Sequence, residues 1–306
     1  MKSLVLQNDG KTEEREVGKS ELLRRYSFLN IRDLRPVFSP LQVATILPRS
    51  EVLVVNLGFV KAIIGKDIVH FLFASSDEKT NKFLKKLIDD IKGGENFGSR
   101  LFYLLVLEKI LESKTDQLNK KVETLKTRAE NVLKQITKHF SKETLEKLLA
   151  LKKKISRLEI RVKEIQSAID EILDDEESFD QLVQIGGGSD DARLEAESVL
   201  ENTVEQVEDN LGNVLRISED IEDTEEYLSL RVDHFRNKII KIDLAVSTVT
   251  LVFAVLAVVV GLYGMNIKNG FENSIEVFRT FQNWIIFVSV GAVALAVLLF
   301  NKRDLL

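Results

Sequence analysis

Two uncharged runs close to the C-terminus restrict this chain more than anything else in it: Leu244 to Ile267, 24 residues, and Trp284 to Phe300, 17 residues. A helix rising ~1.5 Å per residue crosses a bilayer with about 20 apolar residues. The first run exceeds that length, and the second reaches about 20 once Phe281-Gln282-Asn283 is added, so both read as membrane spans. The first opens with Ser247, Thr248 and Thr250, continues in Val, Leu and Ala, and ends on Gly261-Leu262-Tyr263-Gly264-Met265-Asn266. An asparagine at that end needs partners, because an unsatisfied polar group in hydrocarbon costs several kcal/mol. A water-filled pore would supply them. The bland alternative is a small-residue packing patch at Gly261 and Gly264, with Asn266 beginning an interfacial loop.

Basic residues set the orientation. Arg231, Arg236, Lys238 and Lys241 precede the first span and Lys302 and Arg303 follow the second, whereas the connecting loop sets only Lys268 and Arg279 against Glu272 and Glu276. Both termini are therefore expected on the inner side.

The rest of the chain has a soluble composition. Over 306 residues, 30% are charged and the mean hydropathy is -0.02. A net charge of -5 argues against nucleic acid as a partner. The absence of cysteine excludes disulfides, iron–sulfur clusters and thiolate zinc sites, and His70, His139 and His234 are too scattered for an imidazole cluster. There is no phosphate-binding loop of the Gly-x-x-x-x-Gly-Lys type and no nucleophile elbow, so neither an enzyme nor ATP-driven pumping is expected. The opening Met1 to Gln7 is too short and too strand-like for a cleavable signal or transit peptide.

Short β-branched or aromatic runs at 3–8, 51–57, 59–65 and 68–74, with helices near Glu21–Tyr26 and through 78–91, predict a small α/β domain over residues 1–95. All three prolines precede position 49, which permits long helices beyond it. From Phe97 the apolar period becomes helical. Leu104, Leu111, Leu118, Leu125 and Val132 recur every seven residues, with Val122, Ala129 and Ile136 interleaved. Ser141, with Glu143 and Thr144, marks a helix restart, and Leu151, Ile155, Leu158, Val162, Ile165, Ile169 and Ile172 continue the 4,3 spacing. Residues 96–188 thus read as two long antiparallel helices, closed by the acidic Asp174-Asp175-Glu176-Glu177 and a flexible Gly186-Gly187-Gly188-Ser189 turn. A stalk helix over 189–243 enters the span of 244–267 without a breaker, a rod of roughly 110 Å from 192 to 266. An outer loop at 268–280, a second span at 281–300 and a basic inner tail at 301–306 complete the chain.

Tyr263-Gly264-Met265-Asn266 at the end of the penultimate span, followed by an acidic loop, a last span and a basic end, resembles the CorA magnesium-channel superfamily. Ile31-Arg32-Asp33-Leu34-Arg35, Ile46-Leu47-Pro48-Arg49, Val55-Asn56-Leu57 and Lys61-Ala62-Ile63-Ile64 resemble elements of its eukaryotic Mrs2 branch, so the likeness covers roughly 28 to 306. The resemblance implies a CorA-like funnel, a homopentamer in a lipid bilayer, Mg²⁺ as the permeant ion, and the mitochondrial inner membrane with the termini in the matrix. A transporter of Zn²⁺, Ni²⁺, Co²⁺ or Ca²⁺ and a non-transporting coiled-coil scaffold are the alternatives.

Mg²⁺ sheds its octahedral waters reluctantly, so a selective mouth is better built from neutral oxygens that bind those waters. A ring of Asn266 amides with Gly264 carbonyls suits that role, with Tyr263 and Met265 packing the motif. Glu272 and Glu276 would concentrate cations, or are simply solvated loop residues. In the Mrs2-like pattern Asp233-x-x-Arg236-x-x-x-Ile240 supplies a cation ring, a charged barrier and an apolar gate; an intersubunit Asp233–Arg236 salt bridge is the alternative. Asp174, Asp175, Glu176, Glu177, Asp220, Glu222 and Asp223 are candidates for regulatory Mg²⁺ held between subunits, against the reading that they are solvated helix faces.

Overall fold

A computed structural model describes residues 2–38, 43–58, 60–73, 78–93, 101–138, 140–265 and 274–301. It divides into two compact units, Met1–Glu222 and Asp223–Leu306.

The first unit is built on a six-stranded sheet of order β2-β1-β6-β5-β4-β3, antiparallel at every pairing. Here β1 is Lys2–Gln7, β2 Thr12–Glu16, β3 Thr45–Arg49, β4 Val52–Asn56, β5 Lys61–Gly65 and β6 Ile68–Phe73. Four of these strands follow from apolar runs in the sequence. The other two, β2 and β3, are the edges. Thr-Glu-Glu-Arg-Glu of β2 carries almost no apolar signal, and such charge on an edge deters pairing with another chain. In β3, Pro48 cannot donate to a ladder, which an edge position tolerates.

Strands β4 and β5 are apolar on both faces because both faces are covered. Val52, Val54, Ile63 and Leu72 lie in one core with Leu22 and Tyr26, from and just after α1 (Lys19–Arg25), and with Leu29, Leu34 and Val37, around α2 (Arg35–Phe38). The register puts Leu53, Val55, Ala62, Ile64 and Phe71 on the opposite face, all buried. On that side pack α4 (Phe102–Lys138), α5 (Lys142–Asp174) and α6 (Glu176–Ile185), while α3 (Glu78–Lys92) lies against α4 and β6. Phe102 through Leu107 are buried without interruption, which an amphipathic stripe would not produce. That first turn and a half of α4 is enclosed all round.

The α4–α5 turn is set by a capping box: the Thr144 amide donates to Ser141 Oγ at 3.2 Å and the Ser141 amide donates to Thr144 Oγ1 at 3.0 Å. The acidic stretch after α5 is a helix junction. Asp175 stands between α5 and α6 and caps α6 by accepting from the Ser178 amide at 3.2 Å. The glycine run is a specified connector. Gly187 and Gly188 hold φ of 103° and 75°, and a Cβ on Gly186 would lie 2.7 Å from Cε1 of the fully buried Tyr103 ring. Ser189 Oγ then accepts from the Ala192 amide at the start of α7 (Asp190–Tyr263).

Within the first unit α7 buries Ala196, Leu200, Thr203, Val207, Asn210, Val214, Ile217 and Ile221, a seam at near-heptad spacing. Arg193 anchors its start, pairing with Asp180 at 2.6 Å and lying over the Phe179 ring of α6. Gln166 of α5 donates to Glu208 at 3.1 Å.

The second unit holds the remainder of α7 and α8 (Ile275–Asn301), which starts within the segment read as the outer loop. The described parts of α7 and α8 are each long and apolar enough to cross a membrane, and none of the window that qualifies either of them is buried.

Candidate functional site

Along α7, Asp233, Arg236 and Ile240 follow at three and four residues and so share one face of the helix. All three are exposed, Ile240 by 54%. Among the described residues neither Asp233 nor Arg236 makes a salt bridge within the chain, although their spacing permits one. Arg231, on another face, lies 5.8 Å from the centroid of Phe235. The face that carries Asp233 and Ile240 continues through Leu244, Ser247, Leu251, Ala254, Val258 and Gly261. Thr248 and Thr250 donate their hydroxyl protons to the carbonyls of Leu244 (2.8 Å) and Val246 (2.9 Å), as a helix in lipid requires of its polar groups.

The helix closes at the motif. The Gly264 amide donates to the Val260 carbonyl at 2.8 Å, and a Cβ at Gly264 would come within 3.3 Å of that same oxygen. Tyr263 is the last helical residue, and Met265 beyond it is half exposed. Asn266 and Glu272 lie outside the described residues. Glu276 sits in the first turn of α8, where a carboxylate is favoured by the helix dipole.

Of the acidic candidates, Asp174 ends α5, and Glu176 and Glu177 form the first turn of α6. Asp175 serves as the cap between those helices, and its hydrogen bonds from Ser178, the side chain foremost, hold its carboxyl below the usual range. Asp220, Glu222 and Asp223 lie along α7. Among the described residues no three carboxylates or histidines of one chain converge into a metal-holding group.

The short soluble motifs turn out to be joints. The Asp33 carboxylate accepts from Arg49 Nε at 3.1 Å, from Arg49 Nη2 at 3.0 Å and from the Asn30 amide at 2.9 Å, locking the loop before α2 to β3. Asn56 is buried and saturated: Nδ2 donates to the carbonyls of Pro36 and Val43, and Oδ1 accepts from the Gly58 amide. One residue of this network escapes a sequence reading. Lys114 is 8% exposed on α4 and donates to the Leu57 carbonyl at 2.6 Å. Its signal was a cation standing between Leu111 and Leu118 on an otherwise apolar stripe.

A sheet domain, long helices and two membrane-competent C-terminal helices define a membrane protein of the CorA-like fold. The complete CorA magnesium transporter of Methanocaldococcus jannaschii superposes with a TM-score of 0.67 at 15% identity, covering 96% of this chain and 97% of that one. Full-length CmaX superposes with a TM-score of 0.54 at 14% identity, covering 95% and 97%.

The family profile described as "Magnesium transporter MRS2-like" matches residues 2–236, and the chain belongs to that family. Its relatives include magnesium transporter MRS2-2 of Arabidopsis thaliana, 26% identical over 84% of this chain and 81% of that protein. The mitochondrial inner membrane magnesium transporter LPE10 of Yarrowia lipolytica is 29% identical over 85% of this chain and 59% of that protein. These relatives are transporters, not enzymes.

Proposed function

We propose that this chain is one subunit of a homopentameric Mg²⁺ channel, with α7 lining the pore and α8 facing lipid. The observation that carries the proposal is the bare face of α7. An unbroken helix of a magnesium-transporter family presents Asp233, Arg236 and Ile240 in line and leads into Gly264-Met265-Asn266, and along that face Ile240, Leu244, Leu251 and Val258 are left exposed by their own chain. A single span cannot enclose water, so several copies must surround the axis. Asn266 amides and Gly264 carbonyls then hold a hydrated Mg²⁺ at the outer mouth. Glu272 and Glu276 raise the local cation concentration, Ile240 is the apolar constriction, Asp233 receives the ion below it, and Arg236 sets a barrier. Moving two charges through ~100 mV releases roughly 4.6 kcal/mol, so influx needs a gate and no further energy source. Carboxylates of neighbouring subunits, drawn from Asp174–Glu177 and Asp220, Glu222 and Asp223, bind inner Mg²⁺ and close the pore. The membrane is the mitochondrial inner membrane with both termini in the matrix, a placement supported by the yeast relative's name and by the basic residues inside.

The test is Mg²⁺ entry into liposomes carrying the reconstituted protein and a magnesium dye, with Ca²⁺, Ni²⁺ and Co²⁺ as competitors. Asn266→Ala is expected to lower uptake at least tenfold. Uptake indifferent to that change, or a protein that stays monomeric in membranes, overturns the reading. Neutralising the acidic candidates without altering the dependence on inner Mg²⁺ removes the regulatory part alone.

A further inference from the structure

Between α4 and α5 the first unit carries a groove whose charged residues are all cations. A cavity of about 320 Å³ is walled by Lys121 and Arg128 of α4 and Lys154, Arg157 and Arg161 of α5, over an apolar floor that includes Leu125 and Leu158. It shares Lys121 and Arg161 with a neighbouring cavity of about 230 Å³, into which the buried Lys114 opens and where Glu164 is the one carboxylate of the lining.

This is not how cations are disposed elsewhere on the same helix. On α5, Lys147 pairs with Glu143 at 2.7 Å, Lys163 with Glu159 at 2.7 Å and Lys142 with Glu146 at 3.9 Å. Among the described residues none of the five groove cations has a salt bridge. Their proximity is felt electrostatically. Burial first, and then the charges of Lys121 and Arg161, bring the Lys114 ammonium down to about 8, with Glu164 opposing. Lys121 is lowered by burial and by Arg161. The packing of α4 on α5 holds like charges together that would otherwise separate, and an anion of matching charge density removes the repulsion.

We propose that the α4–α5 groove is a binding site for an oligophosphate, a compact anion carrying at least three negative charges. Three of the five cations are arginines, and the planar guanidinium fork is suited to paired phosphate oxygens. The cavity is the size of a small ligand rather than of a helix. Two sources share that chemistry: a nucleoside triphosphate, whose base the apolar floor would favour, and inorganic tripolyphosphate.

The experiment is calorimetric titration of the full-length protein in detergent with inorganic tripolyphosphate and, separately, with ATP, both without divalent cations and at low ionic strength. Saturable binding is expected, weakening steeply with added salt. Arg157→Gln with Arg161→Gln should weaken it at least tenfold. Arg128→Gln with Lys154→Gln, both exposed side chains, provides a second pair that leaves folding intact and should weaken binding by a similar factor. Removing two α5 cations outside the groove, Lys142→Gln with Lys147→Gln, should change affinity less than twofold. Tighter binding of ATP than of tripolyphosphate assigns the site to nucleotides; the reverse order assigns it to the inorganic chain. Absence of saturable binding for both probes, including through occlusion of the groove by a second copy, overturns the proposal. So does equal weakening by the control pair.

Discussion

The two halves of α7 share one helical period and meet opposite surroundings. From Ala196 to Ile221 the seam of Leu200, Val207, Val214, Ile217 and Ile221 is buried; from Leu230 onwards Phe235, Ile239, Ile240, Leu244, Leu251, Phe253 and Val258 stay exposed. Leaving so many large apolar side chains in water would cost roughly 1.5–3 kcal/mol each. The second half therefore exposes an apolar surface that its own chain does not cover, as a membrane-crossing helix does. The first half is part of a packed core; the second is an uncovered apolar surface.

The largest effect that would sharpen this contrast comes from placing the same charge in each half. Val207→Asp puts a carboxylate at a fully buried position and is expected to cost about 3–5 kcal/mol in denaturant unfolding of the soluble unit. Phe253→Asp, on the face of α7 opposite Asp233 and Ile240, should leave that transition unmoved while reducing membrane insertion, an effect worth about 2.5–3.5 kcal/mol at a span centre. Similar unfolding losses for both would break the comparison.

A second difference is sensitivity to acid. His70 is 1% exposed, with Tyr26 edge-on to its ring, and burial foremost, then the charges of Arg25 and Arg15, hold it down at about 4 against an ordinary 6.5. Below 6.5 the unfolded chain takes a proton that the folded one refuses, so stability is full above that pH and is lost as pH falls towards 4. By pH 5 the loss attributable to His70 is about 2 kcal/mol. Unfolding curves at pH 7 and pH 5 should show it in the wild type and not in His70→Phe; an unchanged pH dependence in the variant would place the acid sensitivity elsewhere.

The smallest effect concerns the distal tip of the α4–α5 pair. Ser141→Ala removes half of the capping box and should cost about 1 kcal/mol, read as a lower denaturation midpoint with an unchanged slope. A loss of several kcal/mol would mean that the turn nucleates the pair rather than only closing it.

Periodicity made the long helices legible, because a seven-residue apolar repeat survives without knowledge of what it packs on. The capping residues of α5, the central strands and the two long apolar C-terminal helices were legible for the same reason: each writes its signal locally. Strands β2 and β3 were not, since an edge strand owes its place to a neighbour and gains nothing from being apolar. Nor could the acidic Asp174–Glu177 run reveal that one of its members caps a helix. The close approach of Tyr103 to Gly186 was not legible in the glycine turn, because only the folded chain brings the two together. Lys114 and the cation-lined groove were hidden likewise, their residues being spread over α4 and α5.

By itself the sequence determined which stretches are long and apolar enough to cross a membrane, that Asp233, Arg236 and Ile240 lie in line along α7, and which residues follow its end, because charge and period are properties of consecutive residues. Only the tertiary structure decided that Asp33 binds Arg49, that Asn56 closes a joint, and that five cations face one another without a carboxylate. Those facts depend on residues far apart in the chain arriving within a few ångströms, and no local pattern records a distance across a core.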